Sequence, residues 1–298
     1  MHLCVNKNYI FFYYISYNKL IIAFSKLKKA MKNKVVVITG ASSGIGKSLA
    51  FKFAALGAKI VIAARNSVKL KEIEADLISK HFDVFAVTAD VSIEDECKNL
   101  INSTIDKYGT IDILINNAGI SMRALFEEVD LKVLKQLMDI NFWGTVYCTK
   151  YALSYLLKNQ GSVVGVSSIA GYKGLPGRTG YSASKFAMQG FLETLRIENL
   201  KKNLHVLIAC PGFTASNIRN TALAKDGSMQ GDSPLNEEKL MSADEVALKI
   251  INAINKRKDR IVLTTQGKLI VLLNKFFPKL MDKMVYNHMA KEQNSPFK

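Results

Sequence analysis

Lys34-Val35-Val36-Val37-Ile38-Thr39-Gly40-Ala41-Ser42-Ser43-Gly44-Ile45-Gly46 is the stretch that decides the fold. Val35 to Ile38 is an unbroken apolar run, the pattern of a strand covered on both faces of a parallel sheet. Three glycines follow, at positions 40, 44 and 46. Glycine permits a tight turn and lets backbone come close to a phosphate. The helix that begins there supplies unpaired N–H groups and the positive end of its dipole. A plain strand-to-helix turn does not need three glycines in so short a span, so this one reads as a pyrophosphate cradle. Its spacing is GxxxGxG rather than the commoner GxGxxG.

Outward from this turn, strand and helix alternate. Helical periodicity runs from Lys47 to Leu56, Val68 to Lys80, Ile93 to Lys107, Leu131 to Leu157, Tyr181 to Leu200 and Ala243 to Asn255. Apolar strand runs lie between them at Ala58–Ala64, Asp83–Thr88, Ile111–Ile115, Ser162–Ser167, His205–Ala209 and Arg260–Leu263. Seven strands in such alternation predict an α/β fold, a doubly wound parallel sheet with helices on both faces. No internal linker or repeat divides it, so residues 31–265 are read as one domain.

The second strand ends Ala63-Ala64-Arg65-Asn66. In a dinucleotide site an acid here would bond a ribose 2′-OH, whereas an arginine accommodates a 2′-phosphate. With Arg65 present and no acid, NADP(H) is the expected cofactor and NAD(H) the alternative. Ser42, in the glycine turn, can add a hydroxyl bond.

Composition sets the wider limits. The chain has 298 residues, 49% hydrophobic and 22% charged, enough for a large core. Four widely spaced cysteines without a CxxC pair argue against a disulfide framework or a zinc site and fit a reducing, cytoplasmic compartment. The formal charge of +16 is concentrated at the ends: residues 1–30 hold +5 and residues 256–298 hold +7. Basic ends can meet anionic lipid or nucleic acid, or simply be solvated. No nucleic-acid motif accompanies them, so no nucleic-acid partner is expected.

Residues 1–30 look foreign to the fold. The aromatic and aliphatic run from Asn8 to Phe24 is interrupted by Asn18 and Lys19, too short and broken for a spanning helix. It also lacks the charged start and cleavage site of a signal peptide. Met31 just before the first strand suggests translated upstream sequence; an amphipathic membrane anchor is the alternative.

Tyr181-Ser182-Ala183-Ser184-Lys185 places a phenol and an ammonium one helical turn apart on one face. A fixed ammonium favours phenolate and lowers the phenol's pKa from its usual ~10, which suits acid/base work near neutrality. Alone, Tyr-x-x-x-Lys is a common surface pair.

Together, Thr39–Gly46, Asn116-Asn117-Ala118-Gly119, Ser168, Tyr181-x-x-x-Lys185 and Pro211-Gly212 occur in one order and spacing that resembles the short-chain dehydrogenases/reductases, over about Lys34 to Leu263. The resemblance implies a Rossmann-type sheet, hydride transfer between a nicotinamide cofactor and a carbonyl or secondary alcohol, and a homodimer or homotetramer. It implies Tyr181 as acid/base, Lys185 lowering its pKa while holding the ribose, and Ser168 bonding the substrate oxygen. It further implies Asn141 as a helix-kinking residue near a proton relay, and Asp90 at the adenine. Gly40, Ser42, Ser43, Gly44, Ile45, Gly46, Asn117, Ala118 and Gly119 would surround the cofactor. Pro211, Gly212, Thr214 and Ser216 would cover the nicotinamide; Ser216 stands where the family usually has threonine. For Asp90, capping the following helix is a near-equal reading.

The substrate is not legible. Residues 217–242 correspond to a lid segment, and Tyr172, Leu175 and Pro176 are candidates for the facing wall. The tail, 266–298, alternates apolar residues with Lys268, Lys275, Lys279 and Lys283, an amphipathic basic helix broken or kinked at Pro278. It could lie on a membrane as a peripheral contact, close a lipophilic pocket, pack on a second subunit or pack on the body. Two functional classes remain open: an active oxidoreductase, and a non-catalytic NADP(H)-binding sensor on the same fold.

Overall fold

A computed structural model describes residues 22, 24–212, 214, 218–231, 240–292 and 294–297. Its sheet has seven parallel strands in the order β3-β2-β1-β4-β5-β6-β7. These are β1 (Val35–Thr39), β2 (Lys59–Ala64), β3 (Val84–Thr88), β4 (Ile113–Asn116), β5 (Ser162–Val166), β6 (His205–Cys210) and β7 (Arg260–Val262). The connecting helices are α1 (Gly44–Ala55), α2 (Ser67–Ser79), α3 (Glu94–Tyr108), α4 (Leu131–Met138), α5 (Gly144–Lys158), α6 (Thr179–Glu198) and α7 (Ala243–Asn255). The tail adds α8 (Thr265–Phe276) and α9 (Pro278–Ala290).

The strand interiors are apolar because alternate residues enter two cores. Val36, Ile38, Ile60 and Ile62 pack with Leu49 and Phe53 of α1 and Ile250 of α7. Val37, Val61 and Leu114 pack on the other face with Leu100 of α3, Ala152 of α5 and Leu192 of α6. Each such side chain contributes about 1.5–3 kcal/mol by leaving water, so neither face tolerates the polar alternation of a one-sided sheet.

The sheet order reverses between β1, which pairs β4 on one side and β2 on the other. Successive connections leave in opposite directions there, and the carboxyl ends of β1 and β4 frame a crevice. Thr39 fastens the two ends: its Oγ1 accepts from the backbone N–H of Asn117 and of Ala118, both at 3.1 Å. The Asn117 amide donates back to the carbonyls of Thr39 and Gly40 at 3.0 and 3.1 Å.

The helices depart from the sequence reading at one place. The long helix read over Leu131–Leu157 is interrupted by a π-helical turn, Asp139–Trp143, with Asn141 at its centre. The fully buried Asn141 side chain turns away from its helix. Its Oδ1 accepts from Ile120 N at 2.8 Å, and its Nδ2 donates to Ile120 O at 3.0 Å and to Ser184 Oγ at 2.9 Å. Such single-turn bulges accommodate a local constraint within an otherwise regular helix. The tail is broken at Pro278, as expected, into two helices. Proline at the first position of α9 cannot donate to the preceding turn.

Residues 24–31 are helical, and Leu27 and Met31 are buried in the core that contains α1. The later part of the amino-terminal segment is therefore packed on the body. The rest of the segment discussed above lies outside the described residues.

Candidate active site

The glycine turn has its shape for steric reasons. Gly40 has φ +65°, and a Cβ there would lie 2.7 Å from Ala118 Cα. A Cβ on Gly46 would stand 2.3 Å from the Gly40 carbonyl oxygen and 2.5 Å from Asn117 Nδ2. Helix α1 thus seats directly on the turn, and its amino end opens into the crevice. Its N-cap, Ser43, makes no side-chain cap bond, which leaves the first N–H groups of the helix to the crevice. Gly40, Ser42, Ser43, Gly44 and Ile45 line the cavity. Gly46 sits beneath the lining, where close packing against the Gly40 carbonyl and Asn117 requires glycine.

Along the same crevice, Arg65 and Asp90 come from the ends of β2 and β3. Arg65 Nη1 stands 3.7 Å from Asp90 Oδ2, and both line the cavity. Asp90 does not cap α3, whose N-cap is Ile93. Its Oδ1 instead accepts from Ser92 N at 2.9 Å and Ser92 Oγ at 2.7 Å, closing a short local turn. Asn117, Ala118, Gly119, Pro211, Gly212 and Thr214 complete this side of the cavity. Ser216 lies outside the described residues. Asn116, behind them, donates to Thr149 Oγ1 at 3.1 Å and so ties β4 to α5.

The catalytic candidates converge where β5 meets α6. Tyr181 is in the first turn of α6 and Lys185 one turn on; both reach the cavity beside Ser168. The Ser168 hydroxyl and the Tyr181 phenol face the same part of the cavity, and Ser168 lowers the phenol's pKa. Ser168 also accepts from Ala170 N at 3.2 Å, which fixes its rotamer. Lys185 is buried and donates to the Val166 carbonyl at 2.9 Å. Ser167, the neighbouring candidate, is engaged by Gln189 Nε2 at 2.9 Å. Asn141 does not line the cavity. It holds Ile120 and Ser184, the latter one residue from Lys185.

Burial reverses the expected electrostatics of the pair. Loss of solvation pushes the Tyr181 phenol above its ordinary value, against the pull of Ser168, Arg178 and Arg219. The same effect brings Lys185 down to about 8. Tyr181 therefore stands protonated at neutral pH, rather than having its pKa lowered by Lys185 as the spacing suggested.

The cavity, about 1330 Å³, continues past Tyr181 to the tail. Leu269, Ile270 and Leu273 of α8 and Met281, Met284 and Val285 of α9 form an apolar wall. Leu175 lines it, as expected. Tyr172 and Pro176 do not; burial raises the Tyr172 hydroxyl's pKa, and this group lies against Cys210. Residues 218–231 join the rim through bridges between Leu223 and both Met122 and Met229. Residues 217 and 232–239 of the expected lid lie outside the described residues. Arg178 and Glu292 also line the cavity and were not signalled by the sequence: Glu292, one of two acids in a lysine-rich tail, has no local pattern.

The family profile described as short chain dehydrogenase matches residues 34–227. A Dictyostelium discoideum protein, dehydrogenase/reductase SDR family protein 7-like, is 34% identical over 88% of this chain and 83% of its own. Mouse dehydrogenase/reductase SDR family member 7B is 35% identical over 90% and 85%. Arabidopsis thaliana 11-beta-hydroxysteroid dehydrogenase 1A is 35% identical over 84% and 73%. Among solved structures, a short chain dehydrogenase/reductase from Burkholderia phymatum in complex with NAD superposes with a TM-score of 0.74. It covers 84% of this chain and 95% of that one at 24% identity. An alcohol dehydrogenase from Thermococcus sibiricus complexed with 5-hydroxy-NADP gives 0.70, covering 78% and 96% at 23% identity. The chain belongs to the short-chain dehydrogenase/reductase family and is an oxidoreductase of the hydride-transfer type.

Proposed function

We propose that the protein interconverts a lipophilic carbonyl compound and its secondary alcohol, with NADP(H) as the preferred cofactor. The observation that carries this reading is one continuous cavity whose two halves differ in chemistry. The half at the glycine turn is polar and carries Arg65; the half beyond Tyr181 is walled by α8 and α9. A nicotinamide dinucleotide fits the first half. The α1 amino end and Ser42 would hold the pyrophosphate, Arg65 the 2′-phosphate, Asp90 the adenine side, and Lys185 the ribose. The complexes of the two solved relatives with NAD and 5-hydroxy-NADP support that class of cofactor.

When bound, the nicotinamide supplies or accepts the hydride. The chain's own residues manage the oxygen and its proton. Ser168 and Tyr181 donate hydrogen bonds to the substrate oxygen, favouring the negative charge that grows on it. Tyr181, protonated at neutral pH, gives its proton to that oxygen during reduction and takes one back during oxidation. Lys185 holds a positive charge beneath the phenol and stabilises the phenolate left behind. The apolar wall keeps water from the reacting carbon.

The outer face of the tail adds a membrane reading. Leu272, Phe276, Phe277 and Leu280 are more than half exposed, among Lys268, Lys275, Lys279 and Lys283. No helix among the described residues is long and apolar enough to cross a membrane. An in-plane contact with anionic lipid suits such a surface and would bring a lipophilic substrate to the cavity mouth. The name of the plant hydroxysteroid relatives supports the substrate class.

The test is oxidation of NADPH by the purified protein across carbonyl compounds of graded hydrophobicity, with NADH in parallel. Turnover that rises with hydrophobicity and prefers NADPH is expected. Turnover confined to small polar carbonyls would overturn the substrate reading.

A further inference from the structure

We propose that Glu292 is a specificity-determining positioning residue: it clamps the tail helices over Tyr181 and thereby sets the enzyme's preference for long apolar substrates. The inference rests on the lipophilic-substrate reading above. Arg178 Nη2 donates to Glu292 Oε1 at 3.0 Å and to Oε2 at 2.8 Å. Arg123 Nε stands 3.6 Å from the same Oε2. Glu292 is 6% exposed and Arg123 8%, so this is a buried carboxylate between two guanidinium groups.

The placement of the clamp gives it its effect. Arg178 is the N-cap residue of α6, three positions before Tyr181. Other tethers of the tail reach the same approach segment. Asn274 Nδ2 donates to the Tyr172 carbonyl at 3.1 Å, Lys173 pairs with Asp282, and Leu175 packs with Met281, Val285 and Met289. The apolar wall and the acid/base residue therefore share one mount. Asp282 is largely exposed, and exposed pairs hold little. The Glu292–Arg178 pair is largely buried, with side-chain exposures of 4% and 12%, so removing the carboxylate costs more than losing an exposed pair. Arg178 at the cavity edge, without its carboxylate partner, would draw in water and anions in place of an alkyl chain.

The experiment compares the full-length wild type with Glu292→Gln and Glu292→Asp. It measures kcat and KM with NADPH on a homologous series of straight-chain methyl ketones, together with amide hydrogen exchange. Glu292→Gln should lower the long-to-short ratio of kcat/KM roughly tenfold, the scale of one charge-assisted hydrogen bond, mainly through KM. Exchange should quicken across residues 265–290 and not in the central strands, with NADPH affinity kept. Glu292→Asp, which retains the charge, should recover part of the ratio. Wild-type exchange in α8 and α9 of Glu292→Gln overturns the proposal, as does an unchanged ratio. If the wild type itself shows no length preference, the lipophilic-substrate reading fails separately, the specificity proposal falls with it, and exchange alone decides whether the clamp exists.

Discussion

Lys185 Nζ lies 5.9 Å from the centroid of the Tyr181 ring while its hydrogen bond goes to the Val166 carbonyl, 2.9 Å away. The lysine therefore stands beneath the phenol as a charge rather than as a direct partner. Tyr181→Phe keeps the ring and removes the proton. It should lower turnover by roughly 10²–10⁴-fold, the usual contribution of a positioned acid, with the NADPH dissociation constant nearly unchanged. Lys185→Ala should impair both. Substantial activity in Tyr181→Phe would mean that another group delivers the proton.

The pH dependence follows from the same pair. Lys185 is held down to about 8 by burial, so it is charged below that pH and neutral above it. Tyr181 is raised and stays protonated through neutrality. For ketone reduction, kcat/KM should thus be level at neutral pH and fall as pH rises through about 8. Alcohol oxidation, which needs the phenolate, should climb with pH. Initial rates in both directions across this range check the signs; a reduction rate that increased above pH 8 would exclude Lys185 as the charged partner.

Arg65 decides the cofactor in the proposed reading. Arg65→Asp removes a charge-assisted bond to the 2′-phosphate, about 1.5–3 kcal/mol, or roughly a ten- to hundredfold rise in the NADPH dissociation constant. It also sets an acceptor for a 2′-OH close to Asp90. Fluorescence titration with both cofactors should show the preference invert. Equal wild-type affinities would remove Arg65 from this role.

The amino-terminal segment is the next case. A chain of residues 31–298 retains β1 and the candidate site residues named above, and it should turn over like the full chain. It loses Leu27, however, which is 7% exposed in the α1 core. Leu27→Ala should cost about 2 kcal/mol, the low end for a buried leucine. That corresponds to a fall of several degrees in Tm. Thermal unfolding of the full chain, Leu27→Ala and the shortened chain measures it; unchanged melting in both variants would show that the 24–31 helix contributes no stability.

The outer face of the tail should bind lipid through its lysines. Each lysine near an anionic surface is worth about 1 kcal/mol, so Lys275→Glu with Lys279→Glu should release the protein from phosphatidylserine vesicles in a sedimentation assay at low salt. Wild-type protein that stays in the supernatant would leave packing on the body as the tail's whole role.

Local rules made much of this molecule legible in its sequence. Apolar runs such as Val35–Ile38 announce strands buried on both faces, since residues of opposite parity must each enter a core. The glycines at 40, 44 and 46, Arg65 at the end of β2, and the turn between Tyr181 and Lys185 are read from spacings of a few residues. Backbone geometry over that range hardly depends on the remainder of the chain.

Features that rest on distant partners were not legible. The resemblance marked Asn141 as helix-kinking, but the form of the break, a π-turn held by a bond to Ile120, 21 residues away, has no local signal. The need for glycine at 46 comes from the Gly40 carbonyl and the Asn117 amide beside it. Nothing local to Glu292 marks it; it acquires a role from Arg178, 114 residues away. The direction of the Tyr181 shift came out opposite to the one its spacing from Lys185 implied, because the spacing registers a neighbouring charge and not the loss of water. Sequence alone determined the sheet, the glycine-turn crevice and the placing of Tyr181 and Lys185 side by side, whose determinants lie within one strand or one helical turn. Desolvation and the closure of the tail over the cavity were decided by tertiary structure, since both depend on which distant segments exclude solvent from the same place.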